Sequence, residues 1–231
     1  MLIWWRIPIL VILSYLMGNI SFAKTVATGR HVDITKHGSG NPGTMNIART
    51  LGWKFGVFTL LLDAAKAVVP CLIGGYLLEY PDLTWPDLSS SGVLIAGISV
   101  IVGHMLPVFH RWKGGKGVAS AIGVFLVLDW MFTLGGFALA LLIFLLFRYG
   151  SVASLCCIIA MTAVEYTKWF AFGYDGLHIV LDVVLLGAIP ALILIAHREN
   201  LKRLILGRER RVDELPFVKE VPTDDNGDGG G

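Results

Sequence analysis

The chain has 231 residues, of which 55% are hydrophobic and only 16% charged, and its mean hydropathy is +0.70. This composition excludes an ordinary soluble domain, because apolar runs long enough to cross about 30 Å of hydrocarbon recur along the chain. The net charge of +2 is too small to indicate nucleic acid as a partner. An all-α polytopic membrane protein is predicted, with residues 1–211 as one integral membrane domain and the Asp-, Glu- and Gly-rich residues 212–231 as a disordered tail.

The first apolar run, residues 2–23, precedes a basic stretch, whereas residues 79–91 contain Glu79, Asp82 and Asp87 and neither Lys nor Arg. Because cytoplasmic loops are enriched in Lys and Arg, the N-terminus is predicted outside and the first basic loop inside. A cleaved signal peptide is the alternative for the first run, since residues 21–23 resemble a cleavage site. Cleavage would leave the basic loop outside, against the charge bias.

Residues 118–147 are an ambiguous apolar stretch. Thirty residues exceed a single span. The stretch is interrupted by Asp129 and by two consecutive glycines, Gly135 and Gly136. One or two spans are compatible with the sequence. Two short helices bring Arg148 back to the cytoplasm, which fits about seven transmembrane helices with the N-terminus outside and the C-terminus cytoplasmic.

Three polar, glycine-rich segments each adjoin an apolar run: residues 38–49, 103–117 and 197–204. Beside lipid, such backbone is tolerated mainly where it lines a polar site, so an anion site at the cytoplasmic face is predicted. In the second segment the glycines let N–H groups converge beside Lys116, and a helix expected from Val118 directs its positive end there. A turn without a ligand is the alternative. The segment does not match a Walker A loop, because Gly117 stands where that loop needs Ser or Thr, so nucleotide hydrolysis is not indicated.

The other two segments add polar groups of the kind that bind phosphate esters. Hydroxyl, amide and guanidinium groups in the first suit a phosphate and a small polyol, although a tight turn with an anchoring Arg49 is the alternative. His197 and Asn200 are three residues apart and so share one side of a helix end. Asp63 and Lys66, with the same spacing, are predicted to form an intramembrane ion pair. Neither a metal nor another cofactor is expected, because no His has partners at metal-ligand spacing.

Together these segments resemble the acyl-phosphate-dependent glycerol-3-phosphate acyltransferases of bacterial inner membranes, the PlsY family. The resemblance lies in residues 15–18, 33–43, 103–104, 114–117 and 197–207. One departure is visible, because the family usually has Gly-Ala-Thr-Asn where this chain has Gly43-Thr44-Met45-Asn46. The usual threonine is therefore Met45, and a neighbouring hydroxyl on Thr44 points in a different direction.

The resemblance implies seven helices and the transfer of a fatty acyl group from acyl phosphate to the sn-1 hydroxyl of glycerol 3-phosphate, giving lysophosphatidic acid and phosphate. It places the active-site loops at the cytoplasmic side of the inner membrane and makes the acyl-phosphate-producing enzyme a candidate partner. The catalytic residues predicted from the loops and the resemblance are His197, Lys116, Arg49 and Ser39. The predicted substrate-binding residues are Asn41, Asn46, Gly114, Gly115, Gly117, His104, Ser151, Ser154 and Asn200.

An acyl phosphate brings its own leaving group, so only the attacking hydroxyl needs to lose a proton. His197 or the phosphate of glycerol 3-phosphate is the expected base. A membrane carrier for organic phosphates is the competing class, but carriers usually repeat their polar breaks near the midplane, whereas these loops cluster at one face. A membrane phosphatase or a transferase for another phosphorylated lipid is the third hypothesis.

Overall fold

The computed structural model describes residues 5–78, 90–171 and 179–211. Within these ranges the chain forms α1 (Arg6–Gly18), α2 (Phe22–Thr28), α3 (Thr44–Leu51), α4 (Trp53–Leu77), α5 (Ser90–Met105), α6 (Val118–Leu128), α7 (Trp130–Phe147), α8 (Gly150–Ala171), α9 (Ile179–Ala196) and α10 (Arg198–Ile205). The predicted all-helical membrane architecture is confirmed. The predicted disordered tail, 212–231, and most of the acidic loop at 79–91 lie outside the described residues.

Six helical segments within the described ranges are long and apolar enough to cross a membrane. They are Arg6–Thr28, Trp53–Leu77, Ser90–His110, Trp130–Phe147, Gly150–Ala171 and Ile179–Ala196. The first combines α1 and α2, which are separated by a short break at residues 19–21. The seventh apolar helix, α6, has only 11 residues. The count of seven crossings therefore stays a prediction.

The ambiguous stretch 118–147 forms two helices, and Asp129 explains why. Its carboxylate Oδ1 accepts hydrogen bonds from the backbone N–H groups of Met131 and Phe132, each at 3.1 Å. A side chain that satisfies these otherwise unpaired donors starts a new helix, so α7 begins at Trp130. The same carboxylate also pairs with Lys168 of α8.

The short helix α6 begins deep in the bundle. The Ser120 hydroxyl donates to the carbonyl oxygen of Asp63 at 3.3 Å, and Gly123 packs against the backbone of Ala64. Asp63 lies about 15 Å along α4 from its first residue. The glycine loop before Val118 therefore reaches the level of the middle of α4, and α6 covers only the remaining distance.

Close helix contacts hold α1, α4 and α5 together at fixed depth. Gly18 of α1 lies against the backbone of Gly103, and Gly74 of α4 lies against that of Gly92, so that a Cβ at any of these positions would overlap its neighbour's backbone. Such small residues let apolar helices approach closely in lipid. At the far end the Arg6 guanidinium donates to the Leu77 carbonyl at 3.1 Å. These contacts fix the last turn of α5, where the site begins.

Candidate active site

The first polar loop is held in shape by Asn46, the third residue of α3. Its side-chain N–H groups donate to the carbonyls of Ile34 at 3.2 Å and His37 at 3.0 Å, and its Oδ1 accepts from the Ser39 N–H at 2.9 Å. Only 2% of the residue is exposed. The amide is thus committed to the loop backbone, and the loop leaves Ser39 exposed.

The glycine loop is fastened to the end of α5. The Gly115 N–H donates to the His104 carbonyl at 3.1 Å. Gly117 has a φ of +83°, in the left-handed region that favours glycine, and it is the residue from which α6 starts. This turn places Lys116 at the N-terminal end of α6, as the sequence predicted. Its ammonium donates to the Asn200 side-chain oxygen at 2.5 Å, which joins the second and third polar segments.

A cluster of donors surrounds the carboxylate of Glu209. Its Oε1 accepts from the Ser151 hydroxyl at 2.8 Å and from the Asn200 amide at 2.6 Å. Its Oε2 accepts from Nε of Arg203 at 2.9 Å, and its side chain is only 6% exposed. We call Lys116, Ser151, Asn200, Arg203 and Glu209 the anion cluster, because three donors converge on one carboxylate and Lys116 joins them through Asn200.

Positive charge exceeds negative charge around this cluster. Burial lowers the pKa of the Lys116 ammonium to about 8, with the nearby Arg203 and Arg49 adding to that shift and Glu209 opposing it. Burial, countered by Glu209, also lowers the pKa of Arg49, whose Nε is buried without a hydrogen-bond partner among the described residues. A buried cationic N–H without a hydrogen-bond partner is costly, so an anion beside Arg49 would be favourable.

Glu209 is the counter-charge that the chain itself supplies. Burial disfavours its charged form, but hydrogen bonds from Asn200, Ser151 and Arg203 outweigh that effect and hold the pKa of the carboxyl below its ordinary value. The carboxylate is therefore ionised near neutral pH. It occupies the donor set in the way that one oxyanion would.

His197 lies between α9 and α10 and is 2% exposed. Burial and then the charge of Lys116 lower its pKa to about 4, so the ring is neutral at pH 7. The ring Nδ1 lies 2.8 Å from the carbonyl of Ile193, and only a protonated nitrogen can donate to that oxygen. The other nitrogen, Nε2, then carries the lone pair.

A second charged cluster lies beside the glycine loop, inside the bundle. The Lys66 ammonium contacts Asp63 Oδ1 at 2.7 Å, His104 Nδ1 at 2.8 Å and the Ile20 carbonyl at 2.6 Å. The predicted ion pair is confirmed. Because Lys66 donates to Nδ1, the neutral His104 ring keeps its proton on Nε2. A Cβ on Gly115 would overlap that nitrogen, so this loop position requires glycine. We call Asp63, Lys66 and His104 the sealed triad.

The structure therefore sorts the predicted site residues into two groups. Lys116, Asn200 and Ser151 meet in the anion cluster. The charge of Arg49 lowers the pKa of Lys116, and the charge of Lys116 lowers the pKa of the neutral His197 ring. The remaining predicted polar side chains make hydrogen bonds to other groups or lie outside the anion cluster. Asn46 and His104 hold loops, the Ser154 hydroxyl donates to the Gly150 carbonyl at 2.7 Å, and Asn41 is half-buried. Met45 packs against Gly150. The substrate-binding roles of these residues stay predictions.

Sequence reasoning assigned no role to Arg203 or Glu209. The sequence signal that could have identified Glu209 is its position as the one carboxylate among arginines, since residues 208–211 are Arg-Glu-Arg-Arg. Within the described residues, the structure contains no group of three or more His, Cys, Asp or Glu side chains placed to hold a metal ion.

The fold and the cluster define a multi-pass membrane protein with a cluster of positive charge at the polar-loop end of its helices. Residues 8–207 match the family described as glycerol-3-phosphate acyltransferase. The glycerol-3-phosphate acyltransferase of Aquifex aeolicus is 38% identical over 202 residues, covering 87% of this chain and 97% of that protein. Its counterpart from Anaeromyxobacter is 38% identical over 211 residues, covering 88% and 95%.

Two crystal structures of PlsY, an integral membrane glycerol 3-phosphate acyltransferase, are similar to the whole fold. Each has a TM-score of 0.76 and 37% identity, covering 89% of this chain and 95% of that one. One is the glycerol 3-phosphate form and the other the lysophosphatidic acid form. The chain belongs to the glycerol-3-phosphate acyltransferase family, and the predicted family resemblance is confirmed.

Proposed function

We propose that this protein transfers a fatty acyl group from acyl phosphate to the sn-1 hydroxyl of glycerol 3-phosphate. The observation that carries the proposal is the contact between Lys116 and Asn200, which brings polar groups from loops far apart in the sequence into one positively charged cluster. Such an excess of positive charge suits phosphorylated substrates. The solved relative in its glycerol 3-phosphate form supports the acceptor.

The reaction makes one ester bond and breaks one anhydride bond. The acceptor hydroxyl attacks the acyl carbonyl, the bond from that carbon to the phosphate oxygen breaks, and inorganic phosphate leaves. Negative charge grows on the carbonyl oxygen and on the leaving phosphate. Lys116 and Arg49, with the N–H groups of the glycine loop, are the donors proposed to stabilise that charge. No acyl-enzyme intermediate is needed.

The hydroxyl proton has two possible acceptors. Nε2 of the neutral His197 ring is unprotonated, as a general base must be. The phosphate of glycerol 3-phosphate is the other, because its second ionisation lies nearer neutrality than the depressed pKa of His197. Replacing His197 by Ala distinguishes the two.

The site is proposed to face the cytoplasm from the bacterial inner membrane. The basic residues that adjoin it favour that side by the positive-inside rule, and they include Lys24, Arg49, Lys54, Arg111 and Arg198. An enzyme that releases acyl phosphate into the same compartment is the proposed partner. The exposed apolar residues of α7, such as Leu141 and Leu145, fit a lipid surface on the outside of the bundle.

The test is acyl transfer to glycerol 3-phosphate by the purified full-length protein in detergent, with acyl phosphate, acyl-CoA or acyl carrier protein supplied separately. We expect lysophosphatidic acid from acyl phosphate alone. Product from acyl-CoA or acyl carrier protein would overturn the donor assignment. No product from any donor would reject the proposal and favour phosphate uptake into liposomes as the next assay.

His197→Ala is the variant that assigns the base. If Nε2 takes the proton, we expect kcat to fall about 10²-fold with KM little changed. An unchanged kcat assigns the proton to the substrate phosphate. Arg198→Ala, on the exposed side of α10, is the matched control and should keep the wild-type rate.

A further inference from the structure

The segment between α5 and the glycine loop exposes large apolar side chains. It comprises residues 106–112, and we call it the lateral loop. Phe109 is 70% exposed and Trp112 is 59% exposed, and Leu106 and Val108 are exposed as well. Arg111 is exposed among them. Contiguous exposed apolar surface with charged neighbours marks a contact with another protein or with a membrane.

Backbone hydrogen bonds fix the shape of the lateral loop. The N–H groups of His110 and Trp112 both donate to the Pro107 carbonyl, at 3.1 and 3.0 Å. Arg111 and Trp112 have φ angles of +53° and +62°, a left-handed conformation that is costly for residues other than glycine. Strained residues of this kind cluster at functional sites, so the outward placement of these two side chains indicates a binding contact.

Two hydrogen bonds attach this part of the chain to the first apolar segment. The Tyr15 hydroxyl of α1 donates to the Leu106 carbonyl at 2.9 Å. The Lys24 ammonium of α2 donates to the carbonyl of Lys113, just after the loop, at 3.4 Å. α1 and α2 belong to one segment that is apolar enough to cross a membrane and is mostly unburied. The lateral loop therefore adjoins a surface for which lipid is the expected surrounding.

The depth of this surface follows from the contacts of α2 with α4. The Phe22 ring centroid lies 6.0 Å from the Lys66 ammonium, and the Phe55 ring centroid lies 5.0 Å from the Arg30 guanidinium carbon. α2 thus runs beside the first half of α4, which has 25 residues. Half of a spanning helix corresponds to one leaflet and its headgroup layer. The lateral loop, held next to α2, lies at the side of the bundle within that leaflet.

Positive charge exceeds negative charge around the lateral loop. Residues 7–32 and 90–128 contain neither Asp nor Glu. Arg111 forms no ion pair with any of the residues that the structure describes. Asp33 is the carboxylate that attracts Lys24, and it already accepts hydrogen bonds within its own turn. The surface that carries Lys24 and Arg111 therefore favours an anionic partner.

We propose that the lateral loop and Lys24 bind the headgroup of an anionic phospholipid in the adjoining leaflet. Arg111 and Lys24 pair with the lipid phosphate, and Trp112 lies at the interface between headgroups and acyl chains, where tryptophan is enriched. A lipid is favoured over an acidic protein because basic and apolar side chains alternate in one loop at the depth of a leaflet. The inference stands apart from the proposed function, because lipid binding is measured without acyl transfer.

The test is quenching of tryptophan fluorescence in phosphatidylcholine nanodiscs that contain the full-length protein. The discs receive the same small fraction of either brominated phosphatidylglycerol or brominated phosphatidylcholine. The difference between wild type and Trp112→Phe isolates the signal of Trp112 among the seven tryptophans. We expect that difference to be about fivefold larger for phosphatidylglycerol, the preference that one cation at an anionic lipid provides.

Charge variants test whether the two cations cause this preference. Arg111→Gln should lower it at least about twofold, the double variant with Lys24→Gln should abolish it, and Arg111→Lys should keep it. Lys54→Gln is the matched control, because Lys54 is an exposed cation at the start of α4 outside the lateral loop. It should keep the wild-type preference. Thermal melting identifies a misfolded double variant, and Arg111→Gln at its exposed site then decides the question.

Three results would overturn the proposal. Equal quenching of wild-type Trp112 by both brominated lipids would mean that the loop contacts lipid without selecting its charge. Quenching that is the same in wild type and Trp112→Phe would place the loop outside the lipid and favour an acidic protein as its partner. An equal loss of preference in Lys54→Gln and Arg111→Gln would assign the effect to net charge.

Discussion

The sealed triad and the anion cluster are both buried and charged, but only in the sealed triad do the positive and negative charges balance. In the triad one carboxylate faces one ammonium at 2.7 Å, so the two charges neutralise each other, and the side chains of Asp63 and Lys66 are each 1% exposed. In the anion cluster, Lys116, Arg203 and the neighbouring Arg49 face a single carboxylate. The difference separates buried charges that neutralise each other from buried positive charges that outnumber their counter-charge.

Their positions explain the division of work. The triad joins α4 to the end of α5 and to the break after α1, so it fixes the backbone on which the glycine loop rests. The anion cluster draws its groups from the glycine loop, the start of α8 and α10. A buried inner group thus supports an outer group that is assembled from separate segments of the chain.

The largest effect is expected from breaking the triad. Asp63→Asn leaves the Lys66 charge buried without its carboxylate, which should destabilise the fold by about 3 to 5 kcal/mol. Thermal melting in detergent measures this loss. The double variant Asp63→Leu with Lys66→Met removes both charges and should regain most of the stability. A double variant as unstable as the single one would show that the pair does more than neutralise itself.

Lys116→Ala should lower activity and leave stability unchanged, the opposite of the effect expected for Asp63→Asn. Losing one well-placed donor to the developing charge costs about 10²-fold in kcat/KM, while the melting temperature stays near that of wild type. Lys113→Ala, a change of the same size at an exposed site in the same loop, is the control and should keep its activity. Equal losses in the two variants would contradict a specific role for Lys116.

The smallest effect is expected from pH. Lys116, with its pKa lowered to about 8, is charged below that pH and neutral above it. An anion binds the charged form, so affinity for glycerol 3-phosphate should be lost as the pH rises, by about fivefold between pH 8 and pH 9. Lys116→Arg keeps its charge over this range, and its affinity should stay flat. A wild-type affinity that is constant from pH 7 to 9 would exclude Lys116 as the titrating ligand.

Local patterns in the sequence predicted the elements that depend on nearby residues. The i, i+3 spacing of Asp63 and Lys66 predicted their pair, and the glycines before Val118 predicted a turn into a helix. Asp129 interrupted the apolar run because a carboxylate can cap a helix wherever it occurs. These interactions span one or two helical turns, so sequence spacing is enough to find them.

The sequence by itself determined the membrane class, the three polar segments and the family resemblance. Composition and short spacings carry that information directly. Only the tertiary structure decided which polar groups meet. Asn46 turned inward to hold a loop, and Glu209 reached Ser151 across 58 positions of the chain. Contacts of that kind depend on the depth and direction of packed helices, which residue spacing does not encode.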